Sequence, residues 1–195
     1  MWNIQSVSNS LTVLNIENTI VNNPEDIHKF NKIILPWVGA FKEAMVNLNK
    51  LWFSTEIKKY IKNKDNYILW ICLWMQLLLD SSEENWNTKW LWIIEWKVLS
   101  FNNIINNLPI PHVWWNNINI SKKSKILNWI DNNDNVYFVH SYYCSLINKE
   151  DILLTTNYWI GIDVWLEKDN IFWTQFHPEK SQEIWLKILY NFSKI

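Results

Sequence analysis

The 195-residue chain reads as one α/β domain with a mainly parallel central sheet and helices on both faces. Three observations predict this. Short apolar runs alternate with stretches of helical spacing along the chain. A hydrophobic content of 49% at this length suits a single core of ordinary size. No internal repeat, linker or second composition interrupts the pattern, so residues 1–195 are expected to form one domain.

The elements follow in order. Lys32-Ile-Ile-Leu-Pro36 predicts a strand ending at proline, followed by the loop Trp37-Val-Gly39. Residues 40–50 carry Phe41, Met45 and Leu48 at helical spacing. A second helix is expected from Ser54 as N-cap, with Ile57, Tyr60 and Ile61 on one face. Asn66-Tyr-Ile-Leu69 predicts a buried strand, continuing from Cys72 as a helix. Between 91 and 120 the pattern is of shorter extended pieces, broken by Leu108-Pro-Ile-Pro-His112. Residues 135–144, 151–156 and 170–178 predict further strands, and 181–192 an amphipathic closing helix.

Composition excludes several partners. A formal net charge of −1 gives no electrostatic case for nucleic acid or a membrane surface. No apolar run approaches the roughly 18 residues that span a bilayer, and no signal-peptide pattern opens the chain. Two cysteines, Cys72 and Cys144, make no disulfide framework, so a reducing cytoplasm is expected.

Cys72 stands between a strand and a helix. A thiol there feels the positive end of the helix dipole and free backbone N–H groups, which lower its pKa. A buried structural cysteine would suit the same position. His177-Pro-Glu179 favours chemistry instead: in an extended segment i and i+2 share a face, so Glu179 can orient His177 as base to a thiolate. His28 and His140 read as structural, and Cys144 as a small core residue.

Leu35-Pro-Trp-Val-Gly-Ala-Phe41, Trp70-Ile-Cys-Leu-Trp-Met-Gln76, Ser81-Ser-Glu-Glu84, Leu108-Pro-Ile-Pro-His-Val-Trp-Trp-Asn116, Tyr137-Phe-Val-His-Ser-Tyr-Tyr143 and Thr174-Gln-Phe-His-Pro-Glu-Lys-Ser181 follow one another in this order. Together they resemble the motifs of class I glutamine amidotransferases, over essentially the whole chain. The resemblance is nearest to the branch of glutaminase subunits of imidazole glycerol phosphate synthase. It implies the flavodoxin-like fold of that class, with Cys72 as nucleophile on a strand-to-helix elbow, His177 as proton carrier and Glu179 as its orienting carboxylate. It further implies an oxyanion site from Leu73, Val38 and Gly39, and a grip on the substrate's amino-acid head by Gln76, Glu84, Ser141 and Tyr142. Apart from that resemblance, Gln76 would suit a solvated helix position and Glu84 a helix-end charge. His112, Trp115 and Asn116 match the region facing a cyclase subunit in a heterodimer. Neither metal nor organic cofactor is implied.

The departures from the family pattern share one direction. Glycine occurs 2 times and tryptophan 16, where glycine usually makes up about 7% of residues. Family glycines stand as Trp2, Trp37, Trp70, Trp74, Trp90, Trp92, Trp96, Trp114, Trp165 and Trp173. Trp52, Trp86, Trp129, Trp159 and Trp185 fall where a turn or small residue reads naturally; Trp115 matches a family tryptophan. Restoring the other fifteen would bring glycine to about 9%. Arginine is absent and asparagine and lysine abundant, as A/T-rich codons produce. UGA is read as tryptophan in some bacterial codes and as glycine in others, so the expected native residue at most of these positions is glycine. The chain also begins inside the family's opening Met-Gly-Asn-Ile-Gln-Ser-Val segment, so the strand that normally precedes it is expected upstream of Met1.

Three functions remain in view: a glutaminase supplying ammonia to the histidine-pathway cyclase, the same chemistry feeding a sugar amidotransferase for surface glycans, and a catalytically dead docking subunit if Trp37, Trp70 and Trp74 are real.

Overall fold

A computed structural model describes residues 2–37, 53–72, 81–82, 96–103, 109–177 and 183–195. The expected helix over 40–50 lies outside the described residues, as do Val38, Gly39, Leu73, Gln76, Glu84 and Glu179. Of the helix expected over 72–82 only the ends are described, and both are extended instead: Cys72 closes one strand and Ser81–Ser82 form another.

The sheet is built around β2 (Tyr67–Cys72), with β1 (Lys32–Trp37) and β11 (Ile171–Thr174) parallel on its two sides. Ile68, Leu69, Trp70 and Ile71 are all wholly buried. A central parallel strand covered on both faces has no polar side, hence the unbroken apolar run. Its pleat sends alternate residues to opposite layers. Leu69, Ile71 and Phe172 join α1 (Trp2–Val13) and α3 (Glu183–Lys194) in one core cluster, through Val7, Leu11, Ile184, Ile188, Leu189 and Phe192. Ile68, Trp70, Ile171 and Trp173 join Ile57 and Tyr60 of α2 (Phe53–Tyr60) in the other. Helices therefore cover both faces, as expected. The second helix begins one residue before Ser54, which is thus inside it rather than its cap.

Beyond β11 the sheet turns antiparallel. β10 (Ile160–Lys168) pairs β11 on one edge and β9 (Ile152–Tyr158) on the other. The same edge of β10 that leaves β11 at Trp165 takes up β8 (Tyr142–Leu146) at Asp163, opposite Cys144. β8 then pairs β4 (Trp96–Ser100), which lies parallel to β3 (Ser81–Ser82); β6 (Asn119–Ile120) borders β9. A separate ribbon joins β5 (His112–Asn117) to β7 (Asn135–His140). The run over 135–144 is thus two strands broken at Ser141, and β10 occupies a stretch for which the sequence predicts no element. A bulge explains that: the register shifts around Trp165, so Val164 and Trp165 both enter the first cluster and the strict alternation is lost.

Buried amides tie the connections. Asn170 points Nδ2 at the carbonyls of Ile61, Asn63 and Asn66, at 3.1, 3.1 and 2.6 Å, closing the turn between α2 and β2. Asn191 of α3 donates to Ile126 O at 2.9 Å and Asn128 O at 2.8 Å, anchoring the 3-10 turn at 125–127.

Candidate active site

The three parallel strands end together. Trp37 is level with Cys72, and Ile71 with Thr174. Trp37 at the end of β1, the cysteine at the end of β2 and the segment leaving β11 therefore share one edge of the sheet. Ligand crevices in open α/β sheets form at such carboxyl ends. His177 follows Thr174 by three residues, is buried at 3% exposure, and its backbone N–H donates to Tyr137 O at 2.8 Å. Sheet topology thus brings Cys72 and His177, about a hundred residues apart in the chain, to neighbouring strand ends.

Ser141 and Tyr142 lie beside them, since β8 enters the sheet just past the end of β11. Tyr142 packs against the cluster containing Trp70 and Trp173. Both carbonyls of this break are held: Ser141 O accepts from the Phe101 N–H at 3.3 Å, and Tyr142 O from His140 Nδ1 at 2.7 Å. Cys144, two residues on, is a buried free thiol in the core, as expected. His28 pairs with Glu56 at 2.8 Å on the surface near α2, away from the site.

Of the three residues matched to a partner-facing region, two present surface. Trp115 is 45% exposed, and Asn116 donates to Asn157 O at 2.9 Å. His112 is buried at 1% exposure, its ring stacked 3.8 Å from Tyr158 and 4.8 Å from Phe138. Its Nδ1 lies 3.1 Å from His140 Nε2. The sequence leaves this imidazole pair unread, because 28 residues separate its members and only the register His112↔His140 of the ribbon joins them.

Burial pushes His112 down to about 4. It does the same to His140, to about 3, against the Tyr142 carbonyl bond that favours its charged form and with help from nearby His112 and His177. Both folded values lie below the ordinary histidine value of 6.5. The unfolded chain consequently binds more protons in the window between them. Stability is full above about pH 6.5 and falls by several kcal/mol as pH drops toward about 4. Urea unfolding at about pH 7 and about pH 4.5 measures it. A His112→Phe variant should show a shallower loss; an unchanged slope would mean that these rings do not hold the proton linkage.

Among the described residues no cluster of metal-ligating side chains occurs, and no helix is long and apolar enough to cross a membrane.

The fold is thus an α/β sheet with a cysteine ending one parallel strand and a buried histidine just past the end of its neighbour. The solved structure of a glutamine amidotransferase superposes with a TM-score of 0.74 at 12% identity, covering 98% of this chain and 94% of that one. A glutamine amidotransferase from Thermotoga maritima gives 0.62 at 14% identity, over 94% of this chain and 75% of that one. At these identities the likeness is one of fold. The family model for class-I glutamine amidotransferases matches residues 3–194. The imidazole glycerol phosphate synthase subunit HisH 1 of Campylobacter jejuni is 40% identical over 193 residues, 99% of this chain and 95% of that protein. HisH 2 of Methanococcus maripaludis is 39% identical over 194 residues, and HisH of Caldanaerobacter subterraneus 41% over 195, covering 100% of this chain and 95% and 94% of theirs. The chain belongs to the class-I glutamine amidotransferases, an enzyme family, and within it to the group of HisH subunits.

Proposed function

We propose that this chain is a cytoplasmic glutaminase that hydrolyses glutamine through a thioester and delivers the ammonia to a cyclase subunit making imidazole glycerol phosphate and an aminoimidazole carboxamide ribotide. The observation that carries the reading is the shared register of β1, β2 and β11, which sets Cys72 beside the segment bearing His177.

Each step falls to this chain's own groups. The Cys72 sulfur attacks the side-chain amide carbon of glutamine, and the oxyanion is met by the N–H groups of Leu73 and Val38 in the loop that contains Gly39. His177, oriented by Glu179, protonates the departing nitrogen, so ammonia leaves and a glutamyl thioester remains. Water, deprotonated by His177, then releases glutamate and restores the thiol. Gln76, Glu84, Ser141 and Tyr142 hold the amino-acid head. Trp115 and Asn116 present the outer side of the β5–β7 ribbon to the partner, and His112 supports it from within. Residues 1–195 act as one domain.

The test is a glutaminase assay of the chain in complex with a cyclase partner, made once as written and once with glycine at the fifteen tryptophan positions other than Trp115. Glutamate release in the glycine version alone is the expected result. Release in neither would leave a docking subunit without catalysis. Ammonia transfer to a sugar amidotransferase in place of the cyclase would move the reading to surface glycans.

A further inference from the structure

The imidazole pair beneath the ribbon has no part in the reaction just described, yet it ends on the backbone of the substrate-binding segment. Its hydrogen bonds have one direction. The Tyr142 carbonyl only accepts, so His140 carries its proton on Nδ1, 2.7 Å away. The uncharged His140 then offers a lone pair at Nε2, and His112 Nδ1 must donate to it across 3.1 Å. His112 is held in turn between the rings of Phe138 and Tyr158, and the Tyr158 hydroxyl donates to Pro109 O at 2.6 Å, just before β5. Phe101 closes the other side, its ring 5.5 Å from His140 and its N–H on Ser141 O. The chain of contacts thus runs from the first residue of the ribbon strand that carries Trp115 and Asn116 to the Ser141–Tyr142 break. None of its members stands at a tryptophan position, so it is the same under either decoding.

We propose that His112 and His140 are positioning residues: the pair fixes the Tyr142 carbonyl, and with it the Ser141–Tyr142 segment that takes glutamine's head, relative to the partner-facing ribbon. The proposal rests on the glutaminase reading and adds to it which residues set substrate affinity from outside the reacting groups. A carbonyl released from its donor lets the segment adopt other backbone angles, and that cost falls on glutamine binding rather than on the thioester chemistry.

Steady-state kinetics of the enzyme complex, in whichever version releases glutamate, separates these effects. His140→Gln removes the Nδ1 donor; His140→Asn places an amide N–H where Nδ1 stood. The expected result is a KM for glutamine raised about tenfold in H140Q with kcat within about twofold of the parent, and restored to within about threefold by H140N. H112F keeps a ring in the stack, removes the donor to His140, and should raise KM about threefold with kcat unmoved. If H140Q does not fold, H112F decides alone by the same criterion. Unmoved KM values in an active complex would overturn the positioning role, as would H140N and H140Q being impaired equally, which is the mark of a merely structural pair. A parent complex that releases no glutamate would overturn the glutaminase reading first, and this proposal with it.

Discussion

Replacing Cys72 by serine lowers glutaminase kcat in the complex with the cyclase by at least about a thousandfold, with KM for glutamine changed little. On the proposed mechanism one atom, the Cys72 sulfur, carries the chemistry. A thiol at the end of β2 is ionised far more readily than a hydroxyl at the same place, and the shorter serine Oγ does not reach the position the larger sulfur occupies. His177→Asn should fall comparably, because on the proposed mechanism the imidazole both sustains the thiolate and protonates the leaving nitrogen. Groups that act as a unit are not additive, so the double variant should be no slower than the worse single one. Glutamate release under saturating glutamine is the measurement. Activity within about tenfold of the parent in C72S would remove Cys72 from the nucleophile's role. His177 is buried and tethered by its own N–H to Tyr137 O, so the asparagine variant should retain the local backbone and report on chemistry.

Much of this was legible because parallel strands announce themselves. β2 is apolar on consecutive residues, and α3 repeats Ile184, Ile188 and Phe192 at helical spacing, so both could be read without their neighbours. Cys72 at the end of one such strand and His177 after another were legible for the same reason. What escaped depends on pairing. β10 was missed because its bulge buries Val164 and Trp165 on one side and erases the alternation that marks a strand. The break at Ser141 is invisible in a run of β-formers, since it arises where β7 leaves for the ribbon and β8 for the main sheet. Among its described side chains α1 buries Val7 and Leu11, a pattern too short to stand out. His112 matched a partner-facing motif, but the register with His140 and the rings above and below turn it inward.

Trp129→Gly and Trp159→Gly should each stabilise the chain as written, by about 1–2 kcal/mol, against the usual direction of substitution. Among the described residues five non-glycine residues have a left-handed backbone: Asn15, Asn133 and Asp169, with Trp129 at φ 61° and Trp159 at φ 59°. Asparagine and aspartate visit that region routinely; a bulky aromatic residue does not, because its Cβ crowds the adjoining carbonyl. Both indoles are also exposed, at 65% and 68%, so their removal forfeits little burial. Glycine adopts the same angles without the clash and returns part of the gain as unfolded-chain entropy. The buried positions make the sign still more telling. Trp165 is wholly buried with its Nε1 lacking a hydrogen-bond partner, and Trp70 faces Trp173 in register across β2 and β11. If those side chains are native, glycine opens cavities costing about 3–5 kcal/mol each; if glycine is native, the full replacement is the more stable protein. Trp185 behaves differently from the sequence expectation. It lies in the first turn of α3, buried, with Nε1 donating to Ser10 Oγ at 2.9 Å, so glycine there should destabilise. Thermal and urea melts of the single variants and of the full replacement read these signs, and peptide masses from the source organism read the residues themselves. A loss of stability in both W129G and W159G, or tryptophan in native peptides at 129 and 159, would end the case for glycine.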